Sequence, residues 1–332
     1  MYCDGINPVR VLKSDFDLFW KFYPAAMTRM LCVKITGKKL RCKIYGGGKI
    51  VHNQDKGNNI LKQLMNSGKP FMFGRHGSNE LLIALNGLML EKGIIDRIDC
   101  KKWNVSCLHS GFFPNEEQHY VKFNKLIINS SAQCDLYGTF RMVGEDYYIK
   151  HFMPQNVQLT HLNMMDFWRY EEPFTYLLRG KRVLVVHYLA NQIEKQYAIH
   201  REKLFKNPKV LPEFKLITIP AVQTVAGERD PRFSTWFDAL EYMVQEVKKR
   251  KDEFDIALLG CGAYGMPLAA EIKGMGKQAI YMGGVLQMLF GIYGSRWDAE
   301  PKAKVLKNKY WVKPDPNCKP KNEKIVEDGC YW

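Results

Sequence analysis

Short apolar runs that stop at glycine, each followed by a stretch with helical spacing, dominate the second half of the chain. The run at 256–259 (IALL) stops at Gly260, and residues 266–275 then carry the spacing of a helix. A second run at 278–282 stops at Gly283 and Gly284. An apolar run of about five residues bounded by turn residues reads as a strand buried on both faces, and a helix between two such runs completes a β-α-β unit. Upstream, KRVLVVHYLANQIEKQYAIHREKLF gives strand, turn and helix, with His187 at the strand's carboxyl end, and FKLITIPAV gives the next strand. Residues 234–250 predict an amphipathic helix through Phe237, Leu240, Met243, Val244 and Val247. Strand and helix thus alternate four times between 182 and 290. The expected fold is α/β, a Rossmann-like doubly wound and mostly parallel sheet.

The first half is less regular. A helix is expected over 15–30, another over 58–66, and then a short strand at 71–73, a tight loop at 74–78 and a helix over 79–91. A helix at 116–129 precedes a strand at 135–140, residues 147–154 read as a further strand, and 159–168 fits neither pattern. The organisation expected is a basic, aromatic extension over 1–57, an α/β half over 58–178, a nucleotide-binding half over 179–297 and a tail over 298–332. The tail ends Gly329-Cys330-Tyr331-Trp332, an apolar terminus on a polar segment, which suggests that it docks on the body.

Composition narrows the partners. The 332 residues are enough for a large core, and 49 Lys and Arg against 34 Asp and Glu leave a formal charge of +15. That excess favours an anionic partner. The basic residues are scattered through 10–49, 248–251 and 302–324 and form no recognition motif, so nucleic acid is not expected. Nine cysteines without a Cys-x-x-Cys pair point to reduced thiols rather than a disulfide framework or a zinc site. No run is long enough to span a bilayer. The expected location is cytoplasmic, with the basic, aromatic N-terminus offering a peripheral contact to the inner face of the cell membrane.

The chemistry concentrates at two glycine-bearing turns. Gly260-Cys261-Gly262-Ala263-Tyr264-Gly265 follows a strand and opens a helix, as the Gly-x-Gly-x-x-Gly dinucleotide motif does. That motif calls for an acid at the end of the next strand to hold a ribose, and here Tyr281-Met282-Gly283-Gly284 stands instead. A mononucleotide or nucleotide-sugar keeps the phosphate logic without that acid. Cys261 lies near a helix N-terminus, where a thiol pKa can fall; filling space between glycines is the simpler role. In the first half, Gly74-Arg75-His76-Gly77-Ser78 leads into a helix with Ser78 or Asn79 as N-cap and Glu80 in its first turn. Backbone N–H groups beside Arg75 make an anion site. Glu80 could face a metal or a sugar hydroxyl, or serve only as a first-turn acid placed by the helix dipole. His187, Asp166 and Glu172 are the candidates for a general base.

Taken together, the segment at 180–186, Ile219-Pro220 and the stretch 255–283 resemble the C-terminal half of GT-D-fold glycosyltransferases. Those are bacterial enzymes of surface-polysaccharide and glycoprotein assembly that use nucleotide-sugar donors. The segment 74–80 is similar to that family's Arg-x-Gly-Asp-x-Glu motif: Arg75, Gly77 and Glu80 match, and Ser78 stands where the family has Asp. A closer resemblance, from Asp255 onward, is to a poorly characterised bacterial group associated with polysaccharide gene clusters. It rests on Ala263-Tyr264-Gly265-x-Pro267-Leu268-Ala269-Ala270, on Gly283-Gly284-x-x-Gln287-x-Leu289-Phe290-Gly291-Ile292 and on the Gly-Cys-Tyr-Trp ending.

The resemblance implies a nucleotide-sugar donor and a glycan or lipid-linked acceptor. It implies catalytic roles for Arg75 and Glu80, to which His187 is added as a candidate base from its own place at a strand end. Donor binding would fall to Gly74, Gly77, Ser78, Gly260, Gly262, Tyr264, Gly265, Gly283, Gly284, Gln287 and Arg296. Any Mn2+ or Mg2+ would sit at Glu80, and the Ser78 departure bears directly on that dependence. Two other readings remain open at this point. One is a non-catalytic nucleotide- or glycan-binding protein on a degenerate glycosyltransferase fold, and the other is a different nucleotide-dependent transferase.

Overall fold

A computed structural model describes Ile35, residues 44–298 and residues 301–332. The helix expected over 15–30 lies outside the described residues. A glycine turn at 46–48 joins β1 (Ile44–Tyr45) antiparallel to β2 (Lys49–His52), the one antiparallel pair among the described strands. Asn53 caps α1 (Gln54–Asn66) by accepting the Lys56 N–H at 2.9 Å, and β3 (Phe71–Gly74) follows. Next come α2 (Ser78–Glu91), α3 (Cys100–Ser110), α4 (Glu117–Ser131), β4 (Leu136–Thr139), α5 (Glu145–Phe152) and β5 (Gln158–His161). The remainder is β6 (Arg182–His187), α6 (Ala190–His200), β7 (Lys215–Pro220), α7 (Trp236–Lys249), β8 (Ile256–Gly260), α8 (Gly265–Gly274), β9 (Gln278–Tyr281), α9 (Leu286–Leu289) and α10 (Pro301–Leu306).

The strands form one nine-stranded sheet in the order β1-β2-β5-β4-β3-β9-β8-β6-β7, parallel from β2 to β7. This is the doubly wound α/β architecture that the alternating pattern predicts. The central β3 and β9 pair directly (Phe71 with Gln278, Phe73 with Ile280), so the sheet is continuous across the middle of the chain. Residues of opposite parity on these strands feed two cores. Met72, Tyr137, Leu159, Val186, Leu259 and Tyr281 pack under α2, α4, α7 and α8. Phe73, Leu136, Val185, Leu258 and Ile280 pack under α1, α6 and α9.

Two differences from the sequence pattern have physical causes. Residues 147–154 do not form a strand: α5 occupies 145–152, started by Gly144 with Glu145 and Asp146 in its first turn. The aromatic-rich spacing that suggests a strand there is the buried side of a short helix, Tyr148 and Ile149. Residues 159–168 divide into the end of β5 and a run of 3-10 turns.

Ion pairs gather at the amino ends of the strands. Asp135 accepts the Met72 N–H at 2.8 Å and pairs with Lys273 at 2.7 Å, and Asp255 takes the Arg182 guanidinium at 2.5 Å. The carboxyl ends are left for glycine turns and helix N-termini. In an open parallel sheet that is the end where ligands bind.

Candidate functional site

A cavity of about 570 Å3 runs along the carboxyl ends of the strands, from His161 at the end of β5 to the 221–225 segment after β7. Its volume lies within the roughly 300–1,000 Å3 typical of small-molecule sites. Its floor is built by the turns after β3, β8 and β9 and its roof by the C-terminal segment, through Val326, Glu327, Tyr331 and Trp332.

Arg75 is the central cation. Its Nη2 lies 3.3 Å from the Tyr281 hydroxyl, and its guanidinium carbon is 4.8 Å from the centre of that ring. Tyr281 in turn donates to the Gly262 carbonyl at 2.7 Å, which ties the β3, β8 and β9 turns to one another. The Arg75 Nε is buried and has no hydrogen-bond partner among the described residues. Gly283 makes this placement possible. Its φ is +68°, and a methyl group there would sit 2.6 Å from Nη2 of Arg75. Gly262, at φ +56°, has open space where a side chain would point, so its backbone faces the cavity bare.

Glu80 folds back over Gly77 and accepts its own backbone N–H, which puts its carboxylate on the N-terminus of α2 and in the field of Arg75. A Cβ at Gly77 would collide with that carboxylate. Burial raises the Glu80 pKa above the ordinary carboxylate value against the opposing pull of Arg75. Ser78 and Asn79 stand beside it on the cavity wall.

A buried network holds this loop from behind. His76 meets Tyr137 twice, through its backbone N–H at 3.2 Å and its Nδ1 at 2.8 Å, and its Nε2 lies 3.1 Å from the Ser131 hydroxyl. Tyr137 donates to Glu145 at 3.0 Å, and Glu145 also takes Thr139 Oγ1 at 2.8 Å and the Phe140 N–H at 2.9 Å. Burial, helped by Arg75, lowers the His76 pKa to about 3, so the ring is neutral at ordinary pH.

The roof is pinned at several points. Arg296 donates to the Tyr331 hydroxyl at 2.5 Å and pairs with Glu327 at 3.2 Å. Gln287 donates to the Tyr331 carbonyl at 3.2 Å, and a methyl at Gly284 would sit 2.6 Å from the Tyr331 ring. Trp332 packs with Ala226 and Val326. The docked tail expected from the sequence is this roof.

Most of the residues singled out from sequence therefore meet in one place. Arg75, Gly77, Ser78, Glu80, His187, Gly260, Gly262, Tyr264, Gly283, Gly284, Gln287 and Arg296 all line the cavity. Gly74 and Gly265 do not. They are close-packing positions, against Cys134 and Met266 for Gly74 and against the Tyr281 ring for Gly265. Tyr264 stacks on Trp236 at 4.6 Å and shares a 2.9 Å hydrogen bond with Thr224, so most of it serves the core. His187 is buried, its Nδ1 accepts the Leu189 N–H at 3.1 Å, and burial lowers its pKa to about 3. A nitrogen that accepts a backbone proton leaves Nε2 to carry the ring proton, which makes this histidine a donor rather than a base.

Glu172 is outside the cavity, on the surface between Lys62 and Lys209, so it is excluded as a base. Asp166 lines the cavity but is paired to Arg169 at 2.6 Å. Cys261 is buried and its pKa is pushed up to about 12, so the helix terminus beside it does not activate it. Trp297 is a buried core aromatic. Sequence reasoning missed Tyr281, Glu327, Tyr331 and His161. Their only signal was position, at strand ends or in the terminal apolar pair.

Among the described residues no group of three or more His, Cys, Asp or Glu side chains could hold a metal ion. At the α2 terminus the donors are one carboxylate, Glu80, and the Ser78 hydroxyl, with the Arg75 cation alongside. That set does not fit a resident divalent ion.

Neither a protein-family model nor a curated protein sequence matches the chain. Two solved structures are similar to it. One is a selenomethionine-substituted structure of domain of unknown function 1792, with a TM-score of 0.42 and 12% identity over 73% of this chain and 79% of that one. The other is described as showing that this domain has a distinct glycosyltransferase fold, with a TM-score of 0.40 and 13% identity over 74% of this chain and 82% of that one. Likenesses at that level say nothing of what this chain does, and the site has to speak for itself.

Proposed function

We propose that this protein is a glycosyltransferase that takes a nucleotide-sugar donor. One observation supports it above the others: a guanidinium with a buried, unpartnered Nε, held among the glycine turns that end β3, β8 and β9, on the floor of a cavity of nucleotide size. Bare backbone at Gly262 suits the diphosphate, and Arg75 supplies positive charge where the leaving phosphate gains negative charge. In this reading Ser78, Asn79 and Glu80 address donor hydroxyls, while Arg296 and Tyr331 close over the ligand. His187 donates a hydrogen bond instead of taking a proton. The acceptor is a glycan or a lipid-linked glycan, and its setting in bacterial cell-surface polysaccharide assembly rests on the sequence resemblance.

A non-catalytic binding role is the second reading. It is favoured by Ser78 at the position where the resembling family has Asp, and by the Glu80 carboxylate lying on its own helix terminus. Both readings predict that some nucleotide-sugar stabilises the protein, by about 2.7 kcal/mol at a hundred times its dissociation constant. Only the transferase reading predicts slow release of nucleoside diphosphate from that ligand. A panel of UDP-, GDP- and CMP-linked sugars, scored first for thermal shift and then for release, separates them.

A further inference from the structure

We propose that His161 is the base that deprotonates the acceptor hydroxyl, and that the β4–β5 end of the cavity is the acceptor subsite. This rests on the transferase reading above and gives it the group that sequence reasoning could not find. The cavity is a trough over seven parallel strand ends with Arg75 near its middle, so a donor anchored there leaves one arm for the nucleotide and one for the acceptor.

The arm over β8, β6 and β7 has the glycine turns and Tyr188, which stacks on His187 at 4.7 Å. The arm over β4 and β5 is lined by Thr139, Phe140, Arg141, His161, Asn163 and Asp166. Register fixes how far His161 stands from the phosphate anchor. Gly74 pairs with Tyr137, Tyr137 with Leu159, and His161 lies two residues beyond Leu159. Two interstrand spacings then separate the backbones of His161 and Arg75 by about 10 Å across the sheet. The guanidinium reaches further toward Tyr281 and Gly283, which leaves room between the two side chains for a sugar ring and the reacting oxygen.

Among the carboxylates and histidines that line the cavity, His161 is the one free for the task at the β4–β5 end; His109 also lines the cavity but is bonded to the Ile325 backbone under the C-terminal segment. The Asp166 carboxylate is held by Arg169, Glu80 lies on the α2 terminus, Glu327 is paired with Arg296, and the His187 Nδ1 is occupied. His161 is only half-buried, and its ring nitrogens make no hydrogen bond to the described residues. The charged groups at this end are Arg141, after β4, and the Asp166–Arg169 pair, after β5; Glu145, beneath the Arg141 loop, is spent on that loop. Burial first, and then the Arg141 cation, lower the His161 pKa from its ordinary 6.5, which keeps the ring neutral and able to accept a proton at pH 7.

The step balances as a single displacement. The acceptor oxygen gives its proton to a His161 nitrogen and forms a bond to the anomeric carbon. The bond from that carbon to the donor diphosphate breaks, and its electron pair leaves on the diphosphate beside Arg75. When water is the acceptor the same proton transfer produces free sugar.

The test uses the full chain and UDP-glucose, UDP-galactose and UDP-N-acetylglucosamine, taking whichever stabilises the wild type. Its dissociation constant and its hydrolysis to UDP are measured for wild type, His161→Gln and His161→Asn. Both variants are expected to bind donor within about twofold of wild type and to lose 10²-fold or more in hydrolysis. The wild-type rate should fall at acid pH with a midpoint below 6.5, and that limb should be absent in both variants. Hydrolysis within threefold of wild type in either folded variant, with the acid limb intact, overturns the assignment. Failure of these three and of the GDP- and CMP-linked sugars of the panel above to bind the wild type overturns the transferase reading beneath it.

Discussion

At the scale of single residues, the site depends on side chains that glycines allow to approach. Arg75 reaches its place only because Gly283 has no Cβ and adopts φ +68°. Gly283→Ala is expected to push the guanidinium aside and weaken nucleotide binding tenfold or more, at a stability cost of about 1–2 kcal/mol for the left-handed backbone. Calorimetric titration against chemical denaturation separates the two effects, and unchanged affinity would mean that Arg75 does not touch ligand. His187 makes a different prediction. Its folded pKa, about 3, is below its ordinary 6.5, so between those values the unfolded chain binds the extra proton. The stability from this histidine is complete above pH 6.5 and is lost as pH falls toward 3. The raised carboxyl pKa values of Glu80 and Glu145 act in the opposite sense, so the comparison must be between variants. His187→Gln should flatten the slope of stability between pH 6 and 4 by up to about 1.4 kcal/mol per pH unit. Equal slopes would show that the ring is protonated in the fold.

At the scale of elements, the β-α-β units of the second half were legible because each strand is a continuous apolar run and each helix has its own spacing or cap. Thr235 and Asp238 cap α7 reciprocally, for example. The first half was harder to read. Tyr147, Tyr148 and Ile149 are good strand formers, and only the anchoring of Glu145 by Tyr137, Thr139 and Phe140 makes their segment a helix. β2 is a four-residue strand, KIVH, with too little periodicity to register. The glycine turns and Arg75 could be picked out by residue type, whereas His161 could be found only once pairing with Thr139 fixed where β5 ends. The tail is the element whose role was least visible, because what it covers comes from distant parts of the sequence. Tyr331→Ala removes the ring over Gly284 and the 2.5 Å partner of Arg296. It should leave the sheet folded and weaken nucleotide-sugar binding about tenfold, chiefly by faster dissociation. An unchanged off-rate in stopped flow would show that the tail is no roof.

At the scale of the molecule, the two ends of the sheet do different work. Buried or half-exposed ion pairs such as Asp135–Lys273 fasten the amino ends, while the carboxyl ends gather Arg75, the glycine turns and the terminal segment around one cavity. The +15 formal charge agrees with an anionic ligand without selecting one. Under the proposed function, what selects a phosphate-bearing ligand is Arg75 in its turn-lined seat. The most direct test is calorimetric titration of nucleotide-sugars into the wild-type protein and Arg75→Ala, each checked for folding. At least one nucleotide-sugar should bind the wild type with micromolar affinity and lose tenfold or more, about 1.4 kcal/mol, in the variant. No binding to the wild type, or equal binding to both proteins, would contradict the assignment of this cavity as a nucleotide-sugar site.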